Sequence, residues 1–470
     1  MKKTKIVCTL GPTSSTLEDI KALITKGMNV ARLNMSHGDI PSHQKTLDLV
    51  KKARRELNVP CAIMVDTCGP ELRIGTFEDG KVELEKGQKF VLYTKNRVGD
   101  KNGVYFGFPK LLGELKPRQI IYANNGLIEL VVSKIEKDAI VCRVSVGGLI
   151  SDHKSISIPH VRLPLPFISA KDKENIKFAV DNKVEYISAS FVSTEQDVLQ
   201  MRKYISSLGG NQRIISKIEN VEGLSNLDKI CEVSDGIMVA RGDMGTEVAI
   251  EQIPAIQKDM IKKAVSCGKL VIVATEMLES MTHKRRPTRA ETTDVAQAIY
   301  DKTGATMLSG ETAYGEYPIV SCETMAKIAI ATENNIDYDK ELLSFYVNTD
   351  ENLNAISHSA CLTARAVGAK AIVCFTDKGK TAMMIARFRP QAPIIALTHD
   401  DFTYNLLSLV WGTEAVKVDE QKTLDKMIES AKKVVLDKKL AKPKDKVVLT
   451  LGLPTEKKGI TNAIHILEID

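Results

Sequence analysis

Short aliphatic and β-branched runs recur along the first two thirds of the chain, starting at Lys5, Asn29, Cys61, Tyr186, Ile214, Gly236, Leu270 and Ala305. Segments of helical periodicity lie between most of them, as at 42–57, 171–181, 195–208 and 225–232, and a last one follows at 320–334. Parallel strands need long crossovers, usually helices, so the alternation predicts an α/β fold. Eight such strands are the number in a (β/α)8 TIM barrel, whose chemistry sits at the carboxyl ends of the strands. Those ends here carry Asn34, Ser36, Asp66, Thr67, Ser190, Lys217, Glu219, Asp243, Thr275, Ser309 and Glu311.

The most informative of these ends fall within residues 213–245. Two apolar runs there each end in charge, Lys217 with Glu219 and Arg241 with Asp243, and a helical pattern separates them. Strand, helix and parallel strand would bring both charged ends to one edge of a sheet, gathering two acids and two bases. Two carboxylates on adjacent strand ends suit a hard divalent cation such as Mg²⁺, whose remaining positions go to water and substrate. Gly242 lets a ligand approach the backbone. A lysine beside such a cation favours a doubly negative ligand, which phosphate is. The bland alternative is four ordinary charges solvating strand ends.

After the third run the rhythm breaks. From 71 to 165 the sequence alternates at period two, as in Lys89-Phe-Val-Leu-Tyr93 and Ile128-Glu-Leu-Val-Val132, with glycine-bearing turns. This predicts a small β-barrel lid inserted between barrel segments 1–70 and 166–336, with Pro159, Pro164 and Pro166 at its exit. Residues 337–470 open with a polar linker and read as a C-terminal three-layer α/β domain. In it, Thr376, Asp377, Lys378, Gly379, Lys380 and Thr381 lie between a strand and a helix start, with the hydroxyls, glycine and lysines of a phosphate cradle. An ordinary surface turn fits equally well, because the full phosphate-loop pattern is not met.

Composition narrows the partners. Lys and Arg number 65 against 59 Asp and Glu, a net charge of +6 without a long basic run, which argues against nucleic acid and leaves small anions open. The nine cysteines have neither a C-x-x-C pair nor metal-ligand spacing, as expected of free thiols in a reducing, cytoplasmic compartment. The first apolar run stops at Gly11, too short for a signal peptide, and no window approaches the roughly 20 apolar residues of a membrane span.

Over essentially its whole length the chain resembles the pyruvate kinases, in segments 5–12, 29–38, 65–73, 215–245, 274–281, 286–291 and 307–318. The resemblance implies a cytoplasmic, glycolytic homotetramer that moves the phosphoryl group of phosphoenolpyruvate to ADP, giving pyruvate and ATP. It assigns Mg²⁺ or Mn²⁺ to Glu219 and Asp243, and K⁺ to Asn34, Ser36, Asp66 and the Thr67 carbonyl. Lys217 and Arg32 would attend the phosphoryl group, and the amides of Gly242 and Asp243 the substrate carboxylate. Thr275 would pass a proton to the enolate, with Ser309 and Glu311 as possible relay members. Asn34, His37, Arg73 and Lys154 would face the nucleotide. Glutamate at position 71 implies dependence on K⁺, which a lysine there would replace. The loop 376–381 resembles a sugar-phosphate effector pocket, with Lys380 and Thr381 on one phosphate.

Several positions depart from the family pattern. Cys68 stands where a lysine is common, Ser193 where an arginine is, Asn124 and Asn125 where two aspartates are, His160 for a glycine and Glu276 for a glutamine. Ser193 has a local explanation as a helix cap with Gln196. The loss of a cation at Cys68 and of lid charge at Asn125 bears on nucleotide binding more than on the phosphoenolpyruvate site. Two other functions remain as alternatives: a weakly catalytic sugar-phosphate sensor, and a Mg²⁺-dependent lyase acting through a pyruvate enolate.

Overall fold

The computed structural model of the protein describes residues 2–124, 126–159, 161, 165–344, 352–454 and 459–470. Eight parallel strands close into a barrel: β1 (Lys5–Thr9), β2 (Val30–Asn34), β3 (Ala62–Asp66), β4 (Tyr186–Ala189), β5 (Arg213–Ile218), β6 (Gly236–Ala240), β7 (Leu270–Ala274) and β8 (Ala305–Leu308). Each pairs in parallel with its sequence neighbour, and β1 with β8 closes the ring. Six of the eight are buried at every position, because one face meets the barrel interior and the other the surrounding helices. Outward residues such as Ile6, Ile63, Ile187, Ile237 and Val273 form one core with the helices, while Val7, Val30, Met64, Tyr186, Ile215, Met238 and Met307 belong to a second.

Thr16 caps Leu17–Lys26. One helix start differs from the sequence reading by one residue: Thr194, not Ser193, with Asp197 as its reciprocal partner, caps Glu195–Ser207. Ser193 instead gives its amide to Asp197 and takes Asn220 Nδ2 on its hydroxyl at 3.0 Å, stitching the loop after β4 to the loop after β5. The helical pattern between β5 and β6 is two short helices, Val221–Ser225 and Leu227–Val233, meeting at Asn226. Thr288 with Glu291 caps Arg289–Tyr300.

The insert is a seven-stranded sheet with a separate two-stranded ribbon, Lys81–Leu84 with Gly148–Ser151, closed over its own core of Phe90, Leu92, Phe106, Leu130, Ile140 and neighbours. Its pairings are antiparallel except that between Lys89–Tyr93 and Gly103–Tyr105. The C-terminal domain holds five strands in the order β11-β10-β9-β12-β13: β9 (Ile372–Phe375), β10 (Ile394–Thr398), β11 (Thr413–Lys417), β12 (Lys446–Leu451) and β13 (Ala463–Glu468), the last antiparallel.

This domain forms the floor of the barrel. Leu406, Leu407 and Leu409 belong to the same core as the inward barrel residues, and Tyr186 in β4 donates its hydroxyl to Leu406 O at 2.7 Å. Lys5 Nζ donates to Thr413 O at 2.6 Å and Gly412 N to Lys3 O at 3.0 Å. At the rim of the floor Lys3 Nζ stands 3.8 Å from the Tyr338 ring centre, and the guanidinium of Arg389 stands 4.5 Å from that of Trp411, both cation–π contacts. Among the described residues no helix is long and apolar enough to cross a membrane, and all nine cysteines are free.

Candidate active site

At the opposite, carboxyl end of the strands β2, β3, β4 and β5 bring charge together. Lys217, the penultimate residue of β5, is 9% exposed; its Nζ donates to Ser190 Oγ at 2.8 Å and lies 2.9 Å from Glu219 Oε1 and 3.6 Å from Asp66 Oδ2. Asp66 Oδ2 also accepts Arg32 Nε at 2.9 Å and a second bond from Nη2 of the same guanidinium, whose Nη1 donates to Thr9 Oγ1 at 2.9 Å. Burial alone would depress the Lys217 ammonium, but Asp66, Glu219 and Asp243 outweigh it and raise it above the ordinary lysine value. Burial would likewise raise Asp66, and Arg32 with Lys217 reverse that, holding its carboxyl below the usual carboxylate range.

Glu219 is fully buried. Its Oε2 accepts the Phe191 amide at 2.7 Å, whereas Oε1 takes no well-directed hydrogen bond despite the ion pair with Lys217. Burial pushes this carboxyl up, Lys217 pulls it down, and the Asp243 carboxyl within hydrogen-bonding reach pushes it up again. Two carboxylates pressed together with an unfilled oxygen between them favour a cation. Among the described residues no group of three or more Asp, Glu, His or Cys gathers to hold a metal, so a hard cation on this pair must take its other oxygens from water and substrate. The donor set fits Mg²⁺.

Asn34, Ser36, Asp66 and Thr67 surround the end of β3. Asn34 and Asp66 are register partners, Asn34 Oδ1 accepts the Ser36 amide at 3.2 Å, and Asp66 Oδ1 is buried without a hydrogen-bond partner. The Thr67 carbonyl accepts from Ser190 Oγ at 2.8 Å. Ser190 thus joins Lys217 to this oxygen group. Gly69, at φ +73°, allows the close approach, since a Cβ there would fall 2.9 Å from Ser190 Cβ. The all-oxygen group suits a weakly hydrated monovalent cation.

Across the mouth, Thr275 follows β7 at φ +69° and Glu276 at φ +54°. A left-handed backbone costs a β-branched residue on the order of 1–3 kcal/mol unless its surroundings impose it. Thr275 Oγ1 accepts the Gly242 amide at 2.8 Å and donates to Ala274 O at 2.6 Å. Arg241, which the sequence reading placed among the charges of the mouth, donates there to the Thr275 carbonyl and, behind it, to Asp294. Glu311 is fully buried, with its oxygens on the amides of Ser309 at 2.7 Å and Leu278 at 3.0 Å, so it fastens the loops after β7 and β8.

Basic groups gather beside the oxygen group at the end of β3. Burial and then Arg73, Arg32, Lys171 and Lys154 hold the His37 imidazole below its ordinary value, which places these cations within electrostatic reach of it. Glu71 accepts Arg73 Nε and Nη2 at 3.0 and 2.6 Å, and Arg73 Nη1 reaches His153 O at 2.9 Å. Between lid and barrel lies a cleft of about 430 Å³, lined by Glu71, Ser157, Phe191, Asn220, Asp243 and Glu247 among others. In the distant C-terminal domain, Gly379 at φ +81° opens the helix Lys380–Arg387, Lys378 and Lys380 are exposed, and Thr381 Oγ1 meets Thr461 Oγ1 at 2.8 Å. Thr376 N pairs with Leu397 O, and the Asp377 carbonyl accepts from Thr403 Oγ1 at 2.7 Å.

Residues 1–322 match the family model of the pyruvate kinase barrel domain, and 354–467 that of the pyruvate kinase alpha/beta domain. The pyruvate kinase of Clostridium acetobutylicum is 43% identical over 473 aligned positions, with both chains covered completely. That of Staphylococcus saprophyticus is 42% identical over 99% of this chain and 80% of its own. The crystal structure of the Cryptosporidium parvum pyruvate kinase superposes with a TM-score of 0.94 at 36% identity, covering all of this chain and 96% of that one. The chain belongs to the pyruvate kinase family.

Within that family the Cys68 departure has a local counterpart. The Cys68 thiol lies against Met35 O at 3.3 Å and Asn175 Nδ2 at 3.7 Å, and Lys171 reaches it from the first turn of Ala170–Asp181. A lysine from a helix 103 positions further along the sequence thus stands near the place of the missing one. Asn124 donates Nδ2 to Leu149 O at 3.2 Å within the lid, while Asn125 and His160 lie outside the described residues. Sequence reading did not single out Thr9 as a partner of Arg32, Lys171 or Asp294. Thr9 alone carried a visible signal, a polar residue closing an apolar strand.

Proposed function

We infer that the chain transfers the phosphoryl group of phosphoenolpyruvate to ADP and then protonates the resulting enolate to pyruvate, as its family membership and the mouth constellation together support. The observation that carries this reading is the buried Lys217 with Glu219, Asp66 and Arg32 at adjacent strand ends. Lys217, charged and fixed by three oxygens, would lie beside the migrating phosphoryl group and offset charge on its equatorial oxygens. Arg32 uses three of its five N–H groups on Asp66 and Thr9, leaving two for a phosphate oxygen.

Mg²⁺ or Mn²⁺ on Glu219 and Asp243 would polarise the substrate's phosphate and carboxylate oxygens. The amides of Gly242 and Asp243 would orient that carboxylate. K⁺ would sit among Asn34, Ser36, Asp66 and the Thr67 carbonyl. Thr275 would hand a proton to the enolate, and Ser309 would stand at the margin of the same water. His37, Arg73 and Lys154, with Asn34 at their edge, would receive the nucleotide phosphates, and the lid would exclude water over the cleft. Thr376, Asp377, Lys378, Gly379, Lys380 and Thr381 would take one phosphate of a sugar-phosphate activator, in a homotetramer.

The test is a coupled assay of pyruvate release with ADP or GDP, run in K⁺ or in tetramethylammonium, with and without a panel of sugar phosphates. Pyruvate release that needs a nucleoside diphosphate and falls without K⁺ is expected. Absence of pyruvate with every diphosphate would overturn the activity, full turnover in tetramethylammonium the potassium site, and an unchanged sugar-phosphate response in Lys380→Ala the effector pocket.

A further inference from the structure

Arg241, Gly242 and Asp243 are consecutive, and each meets a different part of the mouth. Asp243 faces Glu219, the Gly242 amide donates to the Thr275 hydroxyl at 2.8 Å, and the Arg241 guanidinium grips the Thr275 carbonyl through Nη2 at 2.6 Å and Nε at 3.2 Å. The same guanidinium is braced from behind, its Nη1 lying 2.8 and 2.6 Å from the two oxygens of Asp294 and 3.4 Å from Gln257 Oε1. Its side chain is only 10% exposed. Thr275 is therefore held at both ends, carbonyl and hydroxyl, by neighbouring residues of one loop.

What is held is a conformation the chain would not choose. Thr275 and Glu276 are successive left-handed residues and the first is β-branched, so without an outside grip this backbone relaxes toward the ordinary regions and swings the threonine Cβ. The planar fork of an arginine fixes a carbonyl in direction as well as distance, which a lysine does not. We propose that Arg241, braced by Asp294, is a positioning residue for the protonation half-reaction, holding the Thr275 hydroxyl over the enolate carbon. The inference rests on the reading of Thr275 as proton donor.

In that step the enolate C=C pair forms the new C–H bond as the Thr275 O–H bond breaks, the enolate oxygen becomes the ketone oxygen, and the threonine oxygen recovers a proton from solvent water. The net consumption is one solvent proton per pyruvate. Phosphoryl transfer relies on Lys217, Glu219, Asp66 and Arg32, whose hydrogen bonds run among β1 to β5 and do not include Arg241, and on Asp243, which shares a loop with Arg241 but whose carboxyl takes none of the guanidinium's hydrogen bonds. The two halves of the reaction should therefore separate.

The test compares Arg241→Met, Asp294→Asn and Thr275→Ala in the full-length enzyme. One readout is exchange of the pyruvate methyl hydrogens with D₂O in the presence of ATP and Mg²⁺, followed by NMR. The other is single-turnover formation of ATP from phosphoenolpyruvate and ADP. Exchange is expected to fall about 100-fold in Arg241→Met and about tenfold in Asp294→Asn, with ATP formation kept within about threefold, the size of effect a misplaced proton donor gives. Equal losses in both readouts for both variants would make Arg241 a merely structural residue and overturn the proposal. Should Arg241→Met not fold, Asp294→Asn decides by the same criterion. Exchange retained in Thr275→Ala would refute the donor reading itself, whereas exchange lost there but retained in the Arg241 and Asp294 variants would refute this inference alone.

Discussion

The two ends of the barrel are built from the same strands and treat charge in opposite ways. At the floor, the C-terminal domain seals the strands, and burial drives the Lys5 ammonium down to about 7 and that of Lys2 to about 8, because the nearby carboxylates Glu333 and Glu414 do not offset lost hydration. At the mouth, Lys217 is buried as deeply, but three carboxylates raise it. The floor meets its lysines with carbonyls and rings, as in Lys5 on Thr413 O and Lys3 over Tyr338, and the atoms it leaves without hydrogen-bond partners are hydroxyls and a guanidinium nitrogen, on Thr4, Tyr338 and Arg389. The mouth leaves carboxylate oxygens so, Glu219 Oε1 and Asp66 Oδ1. A buried lysine is thus structural or functional according to the carboxylates around it, and burial alone does not decide.

Lys217→Met would break the mouth. Loss of about 10³-fold in kcat is expected, near 4 kcal/mol of transition-state stabilisation, with a lowered thermal midpoint as well because Asp66 and Glu219 lose a buried counter-charge; a loss of only a few fold in kcat would remove Lys217 from the chemistry. Trp411→Ala attacks the floor, opening a cavity under Arg389 and Lys3. It should cost about 3–5 kcal/mol in denaturant unfolding, with KM for phosphoenolpyruvate unchanged, and a shifted KM would mean that the two ends are not separate. Lys5→Met tests the floor by pH. A lysine whose folded value lies below its unfolded one releases its proton in the native state first, so stability should rise with pH from about 7 to about 10, by up to about 1.4 kcal/mol per unit. The variant should flatten that slope in denaturation series across the range. The smallest effect sharpens the mouth: Lys171→Ala should raise KM for ADP about tenfold and leave that for phosphoenolpyruvate in place, the worth of one charge-assisted phosphate contact. No change in either would leave the Cys68 position without a substitute cation.

The barrel was legible because strand ends repeat a chemical pattern, and Lys217, Glu219 and Asp66 needed only the parallel register to come together. The place of Arg241 at a strand end was legible too, but not its partners, because spacing fixes where a backbone goes and not which way a long side chain turns; a carbonyl in a strained turn and an aspartate 53 residues away hold it. Lys171 approaches Cys68 across the whole insert, a proximity that no linear spacing encodes. The cap moved from Ser193 to Thr194 because either hydroxyl satisfies the pattern, and Asp197, three residues beyond Thr194, takes the Thr194 amide. In the C-terminal domain, β11 and β13 sit at the two edges of the sheet, where mixed polar and apolar residues blur the signal that marks buried strands.

Strand β5 has one further property. Its first residue, Arg213, gives Nη1 to Asp235 and Nη2 to the carbonyl of Lys378 in the loop of the C-terminal domain, and its far end carries Lys217. A single extended rod of about 20 Å therefore has one tip in each of two compartments. The place of this strand is thereby fixed from both sides, by the carbonyl of Lys378 at one tip and by the oxygens around the Lys217 ammonium near the other.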